Sequence, residues 1–217
     1  MMALYLIELG VEAADRPTVE AAIAEVSRQA AGAGGELIES QVTGDLSRVY
    51  VVVQADSCAD LRLDASRLPG VAAVTGPDEV RLVGAALEDV VRARGAADYL
   101  VEWDIPEDLG MDDYLARKKA RAPLYAQVPE VSFLRTYVRE DTAKCLCFYD
   151  GPDESAVLRA REAVSTPVSR LFGLDHGLGQ ERGSGREAAE QEAADRGTTA
   201  DQGTTDQGTA ADRGTAR

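Results

Sequence analysis

Histidine is almost missing from this chain: 217 residues contain one, His176. An imidazole-based triad or dyad therefore has a single position to draw on, and so does a histidine-rich metal site. Cysteine is scarce and odd in number (Cys58, Cys145 and Cys147), which argues against a disulfide framework and suits a reducing, cytoplasmic setting. No apolar run approaches the roughly 18 residues of a membrane-spanning helix. The N-terminus, Met1-Met2-Ala3-Leu4-Tyr5-Leu6-Ile7-Glu8, has no basic segment and meets glutamate too early for a secretory signal, so no membrane partner is expected. A surplus of positive charge is also missing: 23 Lys and Arg stand against 38 Asp and Glu, a net charge of −15, which disfavours nucleic acid as a partner. No Walker loop or GxGxxG follows a strand-like run, which removes nucleotide hydrolysis and Rossmann chemistry.

An apolar share of 45% is enough for a sizeable core. The last residues are expected to contribute nothing to it. From His176 onward the chain turns to Gly, Ala, Glu and a degenerate Asp-(Arg or Gln)-Gly-Thr repeat starting at Asp195, Asp201, Asp206 and Asp212. Calcium-binding arrays share the Asp-X-Gly element. Here the spacing is five or six residues and no apolar residue recurs to build a core, so residues 176–217 are expected to form a disordered tail with at most a transient helix over 186–194. Without that tail, 30 acids face 18 bases, so the −12 that remains belongs to the folded part.

Residues 3–175 read as a duplication. Leu4-Tyr5-Leu6-Ile7-Glu8 returns as Asp98-Tyr99-Leu100-Val101-Glu102. Each short alternating strand precedes an amphipathic helical stretch, 17–31 and then 111–125, with Asp15 as the cap and Pro17 in the first turn of the earlier one. Strands follow at 36–43 and 48–54, and at 131–139 and 144–149, joined by hairpin turns at 43–45 and 139–141. A second helix (59–68; 154–163) and a last strand (80–83; 170–172) complete each copy. The order βαββαβ is ferredoxin-like, so the fold class is α+β. The expected organisation is copy one over 1–84, a linker helix over 85–96 stopped by Gly95, copy two over 97–175 and the tail over 176–217.

Residues 98–174 resemble a bacterial family of small ferredoxin-like proteins, known mainly as a domain of unknown function, that includes a nickel-binding member. The resemblance rests on Tyr99-Leu100-Val101-Glu102, on Phe133-Leu134-Arg135-Thr136-Tyr137-Val138, on Cys147-Phe148-Tyr149-Asp150-Gly151-Pro152-Asp153-Glu154 and on Pro167. It implies the same fold and raises the question of nickel. Many members carry a histidine on the second helix; by spacing from Cys147 and Pro167 that position is Ala160 here. The expectation is therefore no metal or other cofactor, with Cys145 and Cys147 as the only soft pair.

In a ferredoxin-like half the helices cover one sheet face, and strand alternation assigns the other. Tyr5, Ile7, Leu9, Tyr99, Val101, Trp103, Leu134, Thr136, Val138, Leu146 and Phe148 are expected under helices. The open faces then hold Glu8, Glu39, Gln41, Glu102, Phe133, Arg135, Tyr137, Cys145, Cys147 and Tyr149. Two such sheets packed face to face make an α+β barrel with a polar-lined pocket between them. Two readings of that pocket are open. Glu102 and Arg135 form a structural ion pair; or Glu102 acts as a general base, with Tyr137 or Tyr149 positioning a substrate oxygen and Glu8, Arg135, Cys147 and Tyr149 binding ligand. The run Arg117-Lys118-Lys119-Ala120-Arg121 is a solvated helix face paired with Asp112 and Asp113, or a site in which Arg121 meets an anionic ligand at the pocket mouth. The leading functional expectation is a small-molecule-binding module, monomeric or homodimeric. The alternatives are a cofactor-free cyclase, isomerase or oxygenase, and a scaffold or assembly protein.

Overall fold

A computed structural model describes residues 2–12, 15–93 and 96–178. Most of the expected tail, 179–217 with its 186–194 helix, lies outside the described residues, as does Gly95.

The first half opens with β1 (Ala3–Val11), whose alternation buries Tyr5, Ile7 and Leu9 on one face. Helix α1 (Arg16–Gly32) starts where Asp15 accepts the Thr18 amide at 2.8 Å, with Pro17 in the first turn. Its buried stripe, Val19, Ala22, Val26 and Ala30, recurs every three or four residues and packs on that face of β1. β2 (Glu36–Val42) and β3 (Arg48–Ala55) form a hairpin, and β4 (Val71–Val83) follows. The helix expected over 59–68 is not formed; only a 3₁₀ turn, Ala65–Arg67, occurs there. Short polar side chains bond the backbone locally instead. Ser57 Oγ takes the Ala59 amide at 3.1 Å, Asp64 Oδ1 takes the Ser66 amide at 3.1 Å, and Gln29 from α1 takes the Asp64 amide at 2.7 Å. Leu61 and Leu68 still reach the core, from a loop.

Helix α2 (Leu87–Arg92) links to the second half: β5 (Tyr99–Asp104), α3 (Met111–Arg121), β6 (Ser132–Arg139), β7 (Lys144–Asp150), α4 (Glu154–Ala163) and β8 (Arg170–Gly173). A 3₁₀ segment, Ala122–Gln127, continues α3. The chain stays packed to Leu178, which is buried against the α1 side of the core, while His176 lies 3.4 Å from Asp98.

All eight strands belong to one antiparallel sheet in the order β2-β3-β1-β4-β6-β7-β5-β8. Each set of four has the ferredoxin-like order. β4 pairs with β6 through Val80↔Arg139 to Val83↔Thr136, which joins the sets along one edge. Along the other edge Thr43 bridges Leu174, Gly44 donates to the Gly173 carbonyl at 2.8 Å, and Asp175 donates to Val42 at 2.8 Å. These contacts close the sheet into an α+β barrel. Three cores result: one under α1, one under α3 and α4, and one inside the barrel built from Leu6, Ile38, Tyr50, Val52, Leu100, Tyr137, Leu146, Phe148 and their neighbours.

Candidate functional site

The sequence-assigned residues divide between the two faces of the sheet. Glu102, Arg135, Tyr137 and Glu8 face the barrel interior, as expected. Glu102 and Arg135 do not pair with each other. Glu102, fully buried, accepts the Tyr50 hydroxyl at 2.6 Å from across the barrel and takes Arg170 Nε from β8. Register places Glu102 opposite Arg170, so an adjacent strand supplies the cation. Arg135 pairs with Glu39 of β2 at 3.0 Å, both buried, and lies 4.4 Å from the centre of the Phe148 ring. Tyr137 packs edge-on against Phe148, and burial, with Glu39 close by, pushes its hydroxyl pKa far above the usual phenol range. Glu8 binds Lys144 Nζ at 2.6 Å and borders a groove of about 350 Å³ at one end of the barrel. Glu102 thus has both oxygens engaged inside a packed core.

Cys145, Cys147 and Tyr149 are on the opposite face from the one expected. They lie under α3 and α4, while Leu146 and Phe148 face inward. Alternation alone does not orient β7, because both of its faces are apolar. Pairing does: Val101 stands opposite Cys147, cross-strand partners share a face, and Val101 is under the helices. Phe133 and Leu134 exchange faces as well, because a bulge between Phe133 and Arg135 shifts the β6 register by one residue.

The inverted β7 face meets the basic run. Ala156, Val157, Ala160 and Arg161 form the buried side of α4, and Arg161 is only 2% exposed. α3 brings Tyr114, Arg117, Lys118 and Arg121 to the same place. Between them, over Cys145 and Cys147 and beside Trp103, is a cavity of about 30 Å³. Arg117 and Arg121 donate to the Ser165 carbonyl (2.7 and 2.6 Å) and Arg121 also to Val164 (2.9 Å), at the C-terminal end of α4 where cations are favoured. Arg117 lies over Trp103 and Lys118 over Phe133. Among the described residues, no carboxylate lies within ion-pair distance of Arg117, Lys118, Arg121 or Arg161. The expected pairing with Asp112 and Asp113 is not made.

Hydrogen bonds order the floor of the cavity. Lys118 Nζ donates to Thr136 Oγ1 at 2.9 Å, and Thr136 Oγ1 donates to Cys147 Sγ at 3.0 Å. Arg161 Nη1 donates to Cys147 Sγ at 3.4 Å and to Tyr149 Oη at 3.2 Å; Nη2 donates to the Pro167 carbonyl at 2.5 Å. Tyr125 and Tyr149 share a hydrogen bond at 2.9 Å. Cys145 Sγ lies 3.8 Å from Cys147 Sγ. The hydrogen bond from Cys145, the Lys118 and Arg161 charges and the Thr136 hydroxyl hold the Cys147 thiol well below its ordinary range, against the effect of burial. Cys145 moves the opposite way, raised by its bond to Cys147 and by burial. Burial and the charges of Arg121 and Arg161 lower Arg117. Arg161 went unassigned in the sequence. The available signal was an arginine inside the apolar stripe 156, 157, 160, 161, 164 of α4.

Residues 99–173, the segment that carries this cavity, match the family model described as "Nickel responsive protein SCO4226-like". No curated protein matches the chain. Among solved structures it is similar to a crystal structure provisionally designated chlorite dismutase TA0507, at 14% identity and a TM-score of 0.47, over 80% of this chain and 95% of that one.

Proposed function

We propose that the protein binds a small anionic molecule in the cavity between α3 and α4. The observation that carries this reading is Arg161, buried beside Arg117, Lys118 and Arg121 with no described carboxylate as partner. Four cations gather around one low-pKa thiol, Cys147, so positive charge stays in excess even with that thiol ionised; uncompensated buried charge costs several kcal/mol, and an anionic ligand offsets that cost. The cavity of about 30 Å³ has room for one or two waters, so the buried part of the ligand is a single compact group such as a carboxylate or an oxyanion. Any larger body of the molecule rests at the mouth, against Arg121 and Tyr125.

Nickel responsiveness is stated of the matched family, and the described side chains here do not suit that ion. No group of three His, Cys, Asp or Glu is close enough to hold a metal among the described residues. The Cys145/Cys147 pair is ringed by cations, which repel a divalent ion, and His176 stands apart beside Asp98. Ala160, where many relatives of the resembled family carry histidine, is buried on α4.

Thermal unfolding in a chloride buffer of fixed ionic strength tests the reading, with phosphate, sulfate, short carboxylates and nickel chloride as probes. An anion at about 100 times its Kd stabilises by about 2.7 kcal/mol, a rise of roughly 5–10 °C for a fold of this size. Lys118→Gln and Arg121→Gln should reduce the shift. No shift with any anion, or a shift as large in both variants as in the wild type, overturns the reading.

A further inference from the structure

The cavity floor carries a second feature that is independent of any bound anion: the direction of its hydrogen bonds. Lys118 can only donate, so it occupies the Thr136 oxygen as acceptor and the one Thr136 proton is left for Cys147 Sγ. Arg161 can only donate as well, and it too points at Cys147 Sγ. The contact between the two sulfurs needs one proton, from either sulfur; with two donors already on Cys147, one of them a cation, a Cys147 thiolate accepting from the Cys145 S–H satisfies all three contacts. Two hydrogen bonds, one of them from a cation, thus converge on Cys147 Sγ, a setting that favours the thiolate. Arg161 is also the buried cation that lacks a carboxylate, and its Nε–H, buried, has no hydrogen-bond partner.

From this geometry we propose that Cys147 is a peroxide-reactive thiolate, oxidised to the sulfenic acid by hydrogen peroxide entering the α3–α4 cavity. The thiolate attacks one peroxide oxygen. The S–O bond forms as the O–O bond breaks; sulfur loses two electrons, the peroxide gains them, and hydroxide leaves and takes a proton from solvent. Arg161 and Lys118 face the oxygen on which negative charge develops, and the free Nε–H of Arg161 is a donor for it. The floor of the cavity has room for a compact molecule such as hydrogen peroxide, and a bulky hydroperoxide reaches Cys147 less readily. Cys145 is two residues along an extended strand, which holds the two Cα atoms near the upper limit for a disulfide, so the product rests at the sulfenic acid.

Cys58, which is exposed, is the reference for access of oxidant, and N-acetylcysteine in the same buffers is the reference for thiol ionisation. The measurement is the rate of sulfenic acid formation at each cysteine under hydrogen peroxide, trapped with dimedone in denaturant and located by peptide mass spectrometry from pH 5.5 to 9. No oxyanion is added, so failure of the anion-binding reading leaves this test intact. At pH 6 a free thiol is only about 0.3% ionised, and even after the weaker nucleophilicity of a low-pKa thiolate Cys147 should react about ten-fold faster than N-acetylcysteine. Its rate should change little with pH, while that of N-acetylcysteine climbs about ten-fold per unit below pH 8. The groups facing Cys147 that set this profile are Lys118 and Tyr114 from α3, Cys145 and Tyr149 from β7, Tyr125 after α3 and Arg161 from α4. Lys118→Met, at a half-buried position, should slow Cys147 at pH 6 and restore a slope like that of N-acetylcysteine. tert-Butyl hydroperoxide should favour Cys58. The proposal is overturned if Cys147 reacts no faster than N-acetylcysteine at pH 6, if the two show the same pH slope, or if Lys118→Met leaves the Cys147 profile unchanged.

Discussion

Replacing Tyr50 with phenylalanine removes one oxygen from the barrel interior and keeps the ring that helps fill it. That oxygen donates to Glu102 at 2.6 Å, and Glu102 is fully buried. What remains for the carboxylate is Arg170, whose side chain is 37% exposed and also binds Asp104 at 2.6 Å. A hydrogen bond to a charged group contributes about 1.5–3 kcal/mol, and losing it leaves a buried acceptor site unmet. Phenylalanine occupies nearly the same volume, so no cavity penalty is added. The expected loss is about 2 kcal/mol, a fall in Tm of roughly 4–8 °C for a fold of this size. Urea unfolding followed through Trp103, the only tryptophan and buried under α3, measures it directly. Glu102→Gln keeps an acceptor for Tyr50 but removes its charge, so the double variant should lose about 1 kcal/mol less than the two single losses together. Any stabilisation by phosphate should be the same in Tyr50→Phe as in wild type, because Glu102 and the α3–α4 cavity are on opposite faces of β5. A Tyr50→Phe variant within 0.5 kcal/mol of wild type, or strictly additive losses, would refute this account of the buried carboxylate.

Alkaline pH should destabilise the fold steeply. Burial pushes the hydroxyls of Tyr50, Tyr114, Tyr137 and Tyr149 well above the ordinary phenol value. Their contribution is fully present below pH 10 and is lost above it, because the unfolded chain can ionise them and the folded chain cannot. Each costs about 1.4 kcal/mol per pH unit, so urea midpoints should drop sharply between pH 10 and 11; a flat profile there would show that these tyrosines titrate in the folded state. Gly76→Ala should cost about 2–4 kcal/mol, because Gly76 has φ +93° and an added Cβ would sit 2.4 Å from the Leu6 carbonyl oxygen. Gly110→Ala, where a Cβ meets nothing within 4 Å but the residue is the N-cap of α3, should cost no more than about 1 kcal/mol in the same urea assay, and equal effects at the two sites would contradict the close approach at Gly76.

Much of the fold was legible because its signals are local. Period-two alternation and the recurrence of Leu4–Glu8 as Asp98–Glu102 mark the strands and their order. Asp15 and Pro17 mark the start of α1, and Asp153 caps α4 through the Ala156 amide at 2.7 Å. The residues 59–68 misled because Leu61 and Leu68 carry apolar spacing while Ser57 and Asp64 hold the backbone in turns. The candidate site was legible only in pieces: the basic run of α3 and the Cys145/Cys147 pair were visible separately, with nothing to say that they meet.

By itself the sequence determined the βαββαβ order of the second half, the single histidine, the acidic balance and the faces of β1 and β5, where one set of alternating residues is plainly more polar than the other. Tertiary structure alone decided the rest. Pairing with β5 oriented β7, whose two faces are equally apolar. The bulge in β6 exchanged Phe133 and Leu134. Closure of the barrel gave Glu102 to Tyr50 and Arg135 to Glu39. Each of these choices depends on which strand lies beside which, a relation between distant residues that no local period encodes. The same relation sets Arg161 and Lys118 around Cys147, and through it an ordinary-looking strand cysteine becomes the chemical centre of the cavity.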